Sequence, residues 1–271
     1  GSFGVATEFT LSVFPLKTAR VFGVSWKLSQ SRAAQLFAAW QAWAPNAPST
    51  ITSIMKVGPA GGGMITMRCI GQSVGTESEL RSQLRQLTTL QAPSSALTVR
   101  SLGFLDAVKH FAGPLEYESI LMKAKSDYVL MPLSPAAIAD LMAAVAQVAA
   151  GGIVLLCDSY GGKTADVAAD ATAFPRRAGT QYCIQYFSSW TRAADTAAHL
   201  AQVAKVYAAM RPHMPGAAYV NYCDLELPDY ATAYWGDNLP RLVAVKRHYD
   251  PDDLFHHAQS VPPNLAPEPS A

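Results

Sequence analysis

The chain has 271 residues, of which 50% are apolar and 15% charged, and Lys plus Arg (21) nearly balance Asp plus Glu (20) for a formal net charge of +1. That balance leaves no electrostatic footprint for nucleic acid or an anionic membrane surface, and no apolar run reaches the ~18 residues of a transmembrane helix. The length suits one large domain or two small ones with a substantial core.

Residues 3–14 alternate, with Phe3, Val5, Thr7, Phe9, Leu11 and Val13 on one side, which predicts a strand. "ARVFGVSWKL" predicts a second strand, and "SQSRAAQLFAAWQAW" a helix carrying Leu36, Phe37 and Trp40 inward. Strands over 50–57 and 63–70 are joined by "GPAGGG" as a hairpin, and a helix over about 76–90 follows. "SLGFLDAVKHFAG" reads as a short helix and "SDYVLMPLS" as an extended segment stopped at Ser134-Pro135, where Ser134 caps the next helix. Gly151-Gly152 ends that helix, "IVLLCDSY" and "TQYCIQYFSSW" read as strands, and 191–211 reads as a long helix closed by Pro212. "YVNYCD" (219–224) reads as extended, and "DNLPRLVAVKRHYD" as a helix capped by Asn238. The fold class expected from this order is α+β, a mostly antiparallel sheet flanked by helices on one face.

Three of these strands carry polar groups within apolar runs. Alternation groups Asp158 with Tyr160, Gln185 with Cys183, and Tyr222 with Val220 and Asp224. If the strands are neighbours, Asp158, Gln185 and Tyr222 line one pocket over the sheet. For any one of them a braced core role outweighs a site role about two to one on burial statistics, and three together narrow that gap without closing it. The four cysteines, Cys69, Cys157, Cys183 and Cys223, form no CxxC pair and read as buried thiols, so no metal site is expected. "DSYGGKT" fails as a phosphate loop, because Cys157 stands where its first glycine is required, and Gly161-Gly162 reads as a strand-ending turn.

The closing stretch "AAYVNYCDLELPDYATAYWGDNLPRLVAVKRHYDPDDLFHHAQSVP" (217–262) resembles the final segment of berberine bridge enzyme-like flavoprotein oxidases, of vanillyl-alcohol oxidase fold, with Trp235 in place of a common tyrosine. "KSDYVLMPLS", "YGGKTADVAADATAFPRRAG" and "YCIQYFSSW" are similar to further segments of that family in the same order, and "GSFGVATEFTLSVFP" to the end of its flavin domain. The resemblance implies an FAD-dependent oxidase that moves a hydride from a small-molecule alcohol, a sugar or natural product, to flavin N5 and then to oxygen, giving hydrogen peroxide. It implies Tyr222 as base on the substrate hydroxyl, Gln185 beside substrate and flavin, Asp158 as an assisting carboxylate, and Phe3, Gly4, Val5, Asn221 and Asn238 along the FAD. A tyrosine base near neutral pH requires ~2–3 units of pKa depression from a nearby positive charge or strong donors.

The resemblance further implies a division into 1–16 as the last strand of a flavin domain, 17–215 as the substrate domain, 216–262 as a segment returning to the flavin domain, and 263–271 as a disordered tail. The main FAD-binding domain, or a separate chain carrying it, is then expected upstream, and this chain by itself is expected neither to hold FAD tightly nor to turn over. A ligand-binding module without catalysis and one subunit of a split flavoenzyme are the alternatives. The compartment is not readable from these residues.

Overall fold

The computed structural model describes residues 1–13, 15–16, 18–113 and 120–265. Seven strands form one sheet: β1 (Thr18–Leu28), β2 (Ile51–Gly61), β3 (Met64–Ser73), β4 (Thr98–Gly103), β5 (Leu121–Val129), β6 (Val154–Ser159) and β7 (Tyr182–Trp190). Their spatial order is β4-β1-β3-β2-β6-β7-β5, and every pairing in it is antiparallel. The helices are α1 (Gln30–Trp43), α2 (Glu77–Leu90), α3 (Phe104–Ala112), α4 (Pro135–Ala146), α5 (Thr196–Met210), α6 (Tyr230–Trp235) and α7 (Leu239–Tyr249).

Register divides the sheet into two faces. Val24 pairs with Cys69, Cys69 with Met55, Met55 with Cys157, and Cys157 with Ile184, so these side chains share a face. That face is buried beneath α1, α2, α4 and α5 in one core containing Trp26, Trp40, Leu80, Leu141, Tyr186 and Val206. Burying such large apolar side chains contributes about 1.5–3 kcal/mol each relative to exposure. Ser134 caps α4 by accepting from the Ala137 amide, as its position before Pro135 predicts. The β2–β3 connection runs through Gly61, Gly62 and Gly63 at φ +75, +58 and +73, conformations that favour glycine.

The other face is only partly covered. At one end α3 packs on β1 and β4 through Ala107 against Ala19, Val21 and Leu102, so the helices do not all lie on one side as expected. At the other end the segment from Gly216 onward crosses over β5, β7 and β6. Its own small core holds Ala218, Tyr234, Trp235, Leu242, Val243 and Val261, and Phe3 packs against it. The Val261 amide donates to Ser2 Oγ at 3.0 Å, so the two ends of the described chain meet.

Several sequence expectations need correction. Residues 3–13 join no strand, and Val5, Phe9, Leu11 and Val13 are exposed, because alternation without a hydrogen-bonding neighbour does not make a sheet; Phe14 lies outside the described residues. "YVNYCD" is a turn closed by the Tyr222 amide on the Tyr219 carbonyl at 2.9 Å. Asn238 does not cap α7 with its side chain, which donates instead to the Ala169 and Thr172 carbonyls at 2.8 and 3.1 Å. β4 takes Thr98–Gly103, of which 101–103 were expected in a helix and 98–100 in no element, and β5 begins five residues earlier than the predicted extended segment. Cys223 is exposed while Cys69, Cys157 and Cys183 are buried. Of the expected tail, 266–271 lie outside the described residues.

Candidate active site

Asp158 and Gln185 come from neighbouring central strands. Leu155 and Cys157 of β6 point into the core, which turns Leu156 and Asp158 to the open face; on β7, Ile184 and Tyr186 point inward and turn Cys183 and Gln185 outward. Asp158 pairs with Cys183 and Leu156 with Gln185, so Asp158 and Gln185 are diagonal neighbours on one face, roughly 7–8 Å apart by sheet geometry. Alternation alone places these two correctly.

Tyr222 reaches the same place by another route. Its phenol donates to Asp158 Oδ2 at 3.2 Å from above the sheet. The turn that carries it is fastened on both sides. Before it, the Tyr219 amide donates to Ser126 Oγ at 2.9 Å and the Tyr128 amide to the Ala217 carbonyl at 2.9 Å. After it, Asp224 accepts from Lys123 Nζ at 2.8 Å and Lys125 Nζ at 2.7 Å, with Glu226 bound to the same two ammonium groups at 3.0 and 2.7 Å. Gln259 Nε2 donates to the Asp224 carbonyl at 2.7 Å and the Asp224 amide donates to Tyr234 Oη at 3.1 Å. The expected grouping of Val220, Tyr222 and Asp224 on one face therefore fails. Val220 packs on the Trp235 cluster, Tyr222 meets Asp158, and Asp224 lies in the Lys123–Lys125 clasp.

Aromatic rings wall this end of the face. Tyr219 meets Tyr222 edge to face with centroids 5.0 Å apart, Tyr128 meets Tyr219 at 6.0 Å, and Phe174 lies 6.0 Å from Tyr219. Tyr128 and Tyr160 share a hydroxyl–hydroxyl hydrogen bond of 3.2 Å. Sequence reasoning missed Tyr128, Tyr160, Tyr219 and Phe174 as a unit. It also missed the clasp, although Lys123 and Lys125 stand two apart in a strand, the spacing that points both to one partner.

The electrostatics set the proton on Tyr222. Burial, reinforced by the adjacent Asp158 carboxylate, holds the Tyr222 phenol above its ordinary range. Burial also raises the Asp158 carboxyl, against the hydrogen bond from Tyr222 and the positive charge of Lys56. The depression expected for a lone tyrosine base is thus absent, and among the described residues no cation bonds Tyr222. The neighbour is instead a carboxylate made more basic than usual.

The residues assigned to FAD are placed unevenly. Phe3 and Val220 pack on the same cluster, which brings the first residues beside the Tyr222 turn. Gly4 has φ +155 with no heavy atom within 4 Å of a Cβ position, and Val5 is exposed. Asn221 is exposed and donates to Tyr219 Oη at 2.8 Å. Phe3 and Asn221 thus lie at or beside the Tyr222 turn, while Gly4 and Val5 follow Phe3 in the chain with open surface. Asn238 is buried with its amide engaged by the 169–172 loop.

The chain is similar to known proteins over most of its length. Residues 218–262 match the family described as "Berberine and berberine like". The uncharacterized FAD-linked oxidoreductase YgaK of Bacillus subtilis is 28% identical over 97% of this chain and 57% of its own length. Berberine bridge enzyme-like 14 of Arabidopsis thaliana is 32% identical over 55% of this chain and 31% of its own. Among solved structures, BBE-like 28 from Arabidopsis thaliana superposes with TM-score 0.77 and 26% identity, over 90% of this chain and 56% of that one. Berberine bridge enzyme from Eschscholzia californica shares the fold at TM-score 0.80 and 22% identity. The chain spans a little over half the length of YgaK and of these structures.

Proposed function

This chain belongs to the berberine bridge enzyme-like family of FAD-linked oxidoreductases, and from that premise we propose that it is the substrate-binding portion of an FAD-dependent oxidase acting on a secondary alcohol. The substrate class is a sugar or a hydroxylated natural product. The observation that carries the reading is the Tyr222–Asp158 hydrogen bond of 3.2 Å on the open face of the sheet, beside Gln185.

Tyr222 meets the substrate hydroxyl with its phenol oxygen. As that oxygen accepts the substrate proton, its own proton passes to Asp158 Oδ2, so the charge ends on a carboxyl that burial has already made more basic. The relay avoids a free phenolate, which burial disfavours at this position. Gln185 orients the substrate through its side-chain amide, and the Tyr219–Phe174 wall excludes water from one side. Phe3, Gly4, Val5 and Asn221 would line the cofactor, and Asn238 would contribute indirectly by holding the 169–172 loop. FAD, when bound, would supply the acceptor for a hydride from the carbinol carbon, and oxygen would be the final oxidant, giving hydrogen peroxide. The upstream domain or chain of the whole enzyme contributes most of the FAD contacts.

The test is Tyr222→Phe in the intact enzyme. Positioned acid–base groups contribute about 10²–10⁴-fold, so turnover should fall by that range while flavin content stays at wild-type level. Unchanged turnover removes Tyr222 from the mechanism.

A further inference from the structure

Beyond the Tyr222–Asp158 pair, the open face continues as a trough between two walls. One wall is the Tyr219–Tyr222 end; the other is α3, packed on β1 and β4. Between them lies a cavity of about 430 Å³, lined by Lys56 of β2, Arg68 and Ile70 of β3, Arg100 of β4, and His110 and Phe111 of α3. That volume falls within the range of about 300–1,000 Å³ typical of small-molecule sites. Gly23 of β1 keeps the floor low, since a Cβ there would stand 3.7 Å from both Ile70 and the Arg68 guanidinium.

The charge of the trough is one-sided. Two guanidinium groups and one ammonium group line it together with an imidazole, and no carboxylate is among the lining residues. Among the described residues none of Lys56, Arg68, Arg100 and His110 is held in a salt bridge, in contrast to Lys123, Lys125 and Lys246, each engaged by two carboxylates. Cations gathered over an apolar floor with no carboxylate among the described lining residues form a receptor for an anion, with arginine suited to bidentate contact with carboxylate or phosphate.

The cavity is also within reach of the reacting end. Lys56 pairs with Leu156 and Ile54 with Asp158, so Lys56 is a diagonal neighbour of Asp158 one strand away. β6 and β1 are three strand spacings apart, about 14 Å. A ligand with its hydroxyl at Tyr222 would therefore place a group a few bonds away at Lys56, and one a sugar unit or two farther at Arg68 and Arg100.

We propose that this trough binds an anionic group, carboxylate or phosphate, carried by the substrate whose hydroxyl meets Tyr222; the assignment of the bound molecule as substrate rests on the oxidase reading above. The substrate class narrows accordingly to acidic sugars or acidic hydroxylated natural products. Arg68 and Arg100 are specificity-determining residues and take no part in proton transfer.

The experiment is a binding titration of this chain, by calorimetry or amide chemical shifts, with three matched probes: glucuronic acid, glucose 6-phosphate and methyl glucoside. Binding needs neither FAD nor turnover, so it is independent of the Tyr222→Phe test, and its failure leaves the oxidase reading standing. At low salt one or both anions should bind about ten-fold or more tighter than methyl glucoside, and the preference should shrink as salt rises. Arg68→Ala and Arg100→Ala, both at exposed positions, should each reduce the preference several-fold with the fold retained. Arg81→Ala, which removes a cation from α2 beneath the opposite face, should leave it unchanged. Tighter glucuronate assigns a carboxylate and tighter glucose 6-phosphate a phosphate. Equal affinities, no binding by any probe, or a preference unmoved by the two arginine variants overturns the proposal. ADP displacing the anions with the same arginine dependence would hand the trough to the cofactor's diphosphate, and overturns it equally.

Discussion

Asp158→Asn separates two properties of one side chain. Its carboxyl is raised by burial, so folding favours the protonated form and the ionised form carries a cost that grows as pH rises above the unfolded value near ~3.9. The amide removes that cost, so at neutral pH the variant should melt no lower than the parent and slightly higher. The same change removes the acceptor for the Tyr222 proton, and turnover of the intact enzyme should fall by about 10²-fold or more. A thermal melt and a turnover assay on the same preparation check both, and a variant that is both unstable and fully active contradicts this picture of the pair. Asp127 is a buried carboxyl, pushed up to about 6 by burial despite its bond to Arg211. Between about pH 4 and 6 it binds more protons folded than unfolded, so its contribution falls as pH rises through that window. Asp127→Asn should flatten the dependence of stability on pH there, measured by urea melts at successive pH values.

At the level of elements, the clasp between β5 and the crossing segment governs where Tyr222 sits. Lys125 and Asp224 are 6% and 5% exposed, so their ion pair is shielded from water. Burial pushes the Asp224 carboxyl up, but the hydrogen bonds from Lys123 and Lys125 outweigh this and hold it below the ordinary carboxylate range. A depressed carboxylate stabilises above its unfolded pKa and loses that contribution as pH falls through the folded one, so the clasp's contribution should begin to decline below about pH 4 and be lost only at lower pH, where Asp224 itself takes up a proton. Breaking a buried pair from one side costs about 3–5 kcal/mol. Because the crossing segment has its own small core, Asp224→Ala should raise hydrogen exchange across 216–262 while β1, β2 and β3 keep their protection. Uniform loss of protection would show the clasp to be part of the global fold. Lys246 plays a matching role inside the segment: its buried ammonium binds Asp250 at 2.5 Å, Asp253 at 2.7 Å and the Phe255 carbonyl at 2.8 Å, closing the end of α7.

For the whole molecule, the core was legible in the residues and the site only partly. Trp26, Met55, Met67 and Cys157 stand at period-two positions and Leu36, Phe37 and Trp40 at helical ones, and these patterns report directly which faces are buried. The same rule put Asp158 and Gln185 on a shared face. It failed for 3–13, where alternation is present but no strand stands alongside, and for β4, which buries little and so lacks a strong pattern. It failed again for 219–224, whose position comes from bonds to Ser126, Lys123 and Lys125 about a hundred residues away, information that no local window holds. Alternation did single out Tyr222 beside Asp158 and Gln185, but by treating 219–224 as a strand; its role as base came from the resemblance. Of the residues assigned to FAD, Val5 and Asn221 are exposed while Asn238 is buried with its amide engaged, so few of them are open to a dinucleotide. The purified chain should accordingly carry no flavin absorption band, and a stoichiometric band would reverse the assignment of FAD binding to the upstream domain or chain.

A side chain on a strand can be moved only in steps: shifting it by one residue turns it to the opposite face, and by two carries it nearly 7 Å along. Tyr222 stands on a turn between two anchors, Ser126 before it and the lysine clasp after it. Its hydroxyl can thus be raised, lowered or tilted by exchanging residues 220, 221 and 223 with neither the sheet nor the anchors altered. Descendants of such a chain can retune the gap above Asp158 to thicker or thinner substrates by fractions of an ångström, an adjustable jaw set on a fixed bench.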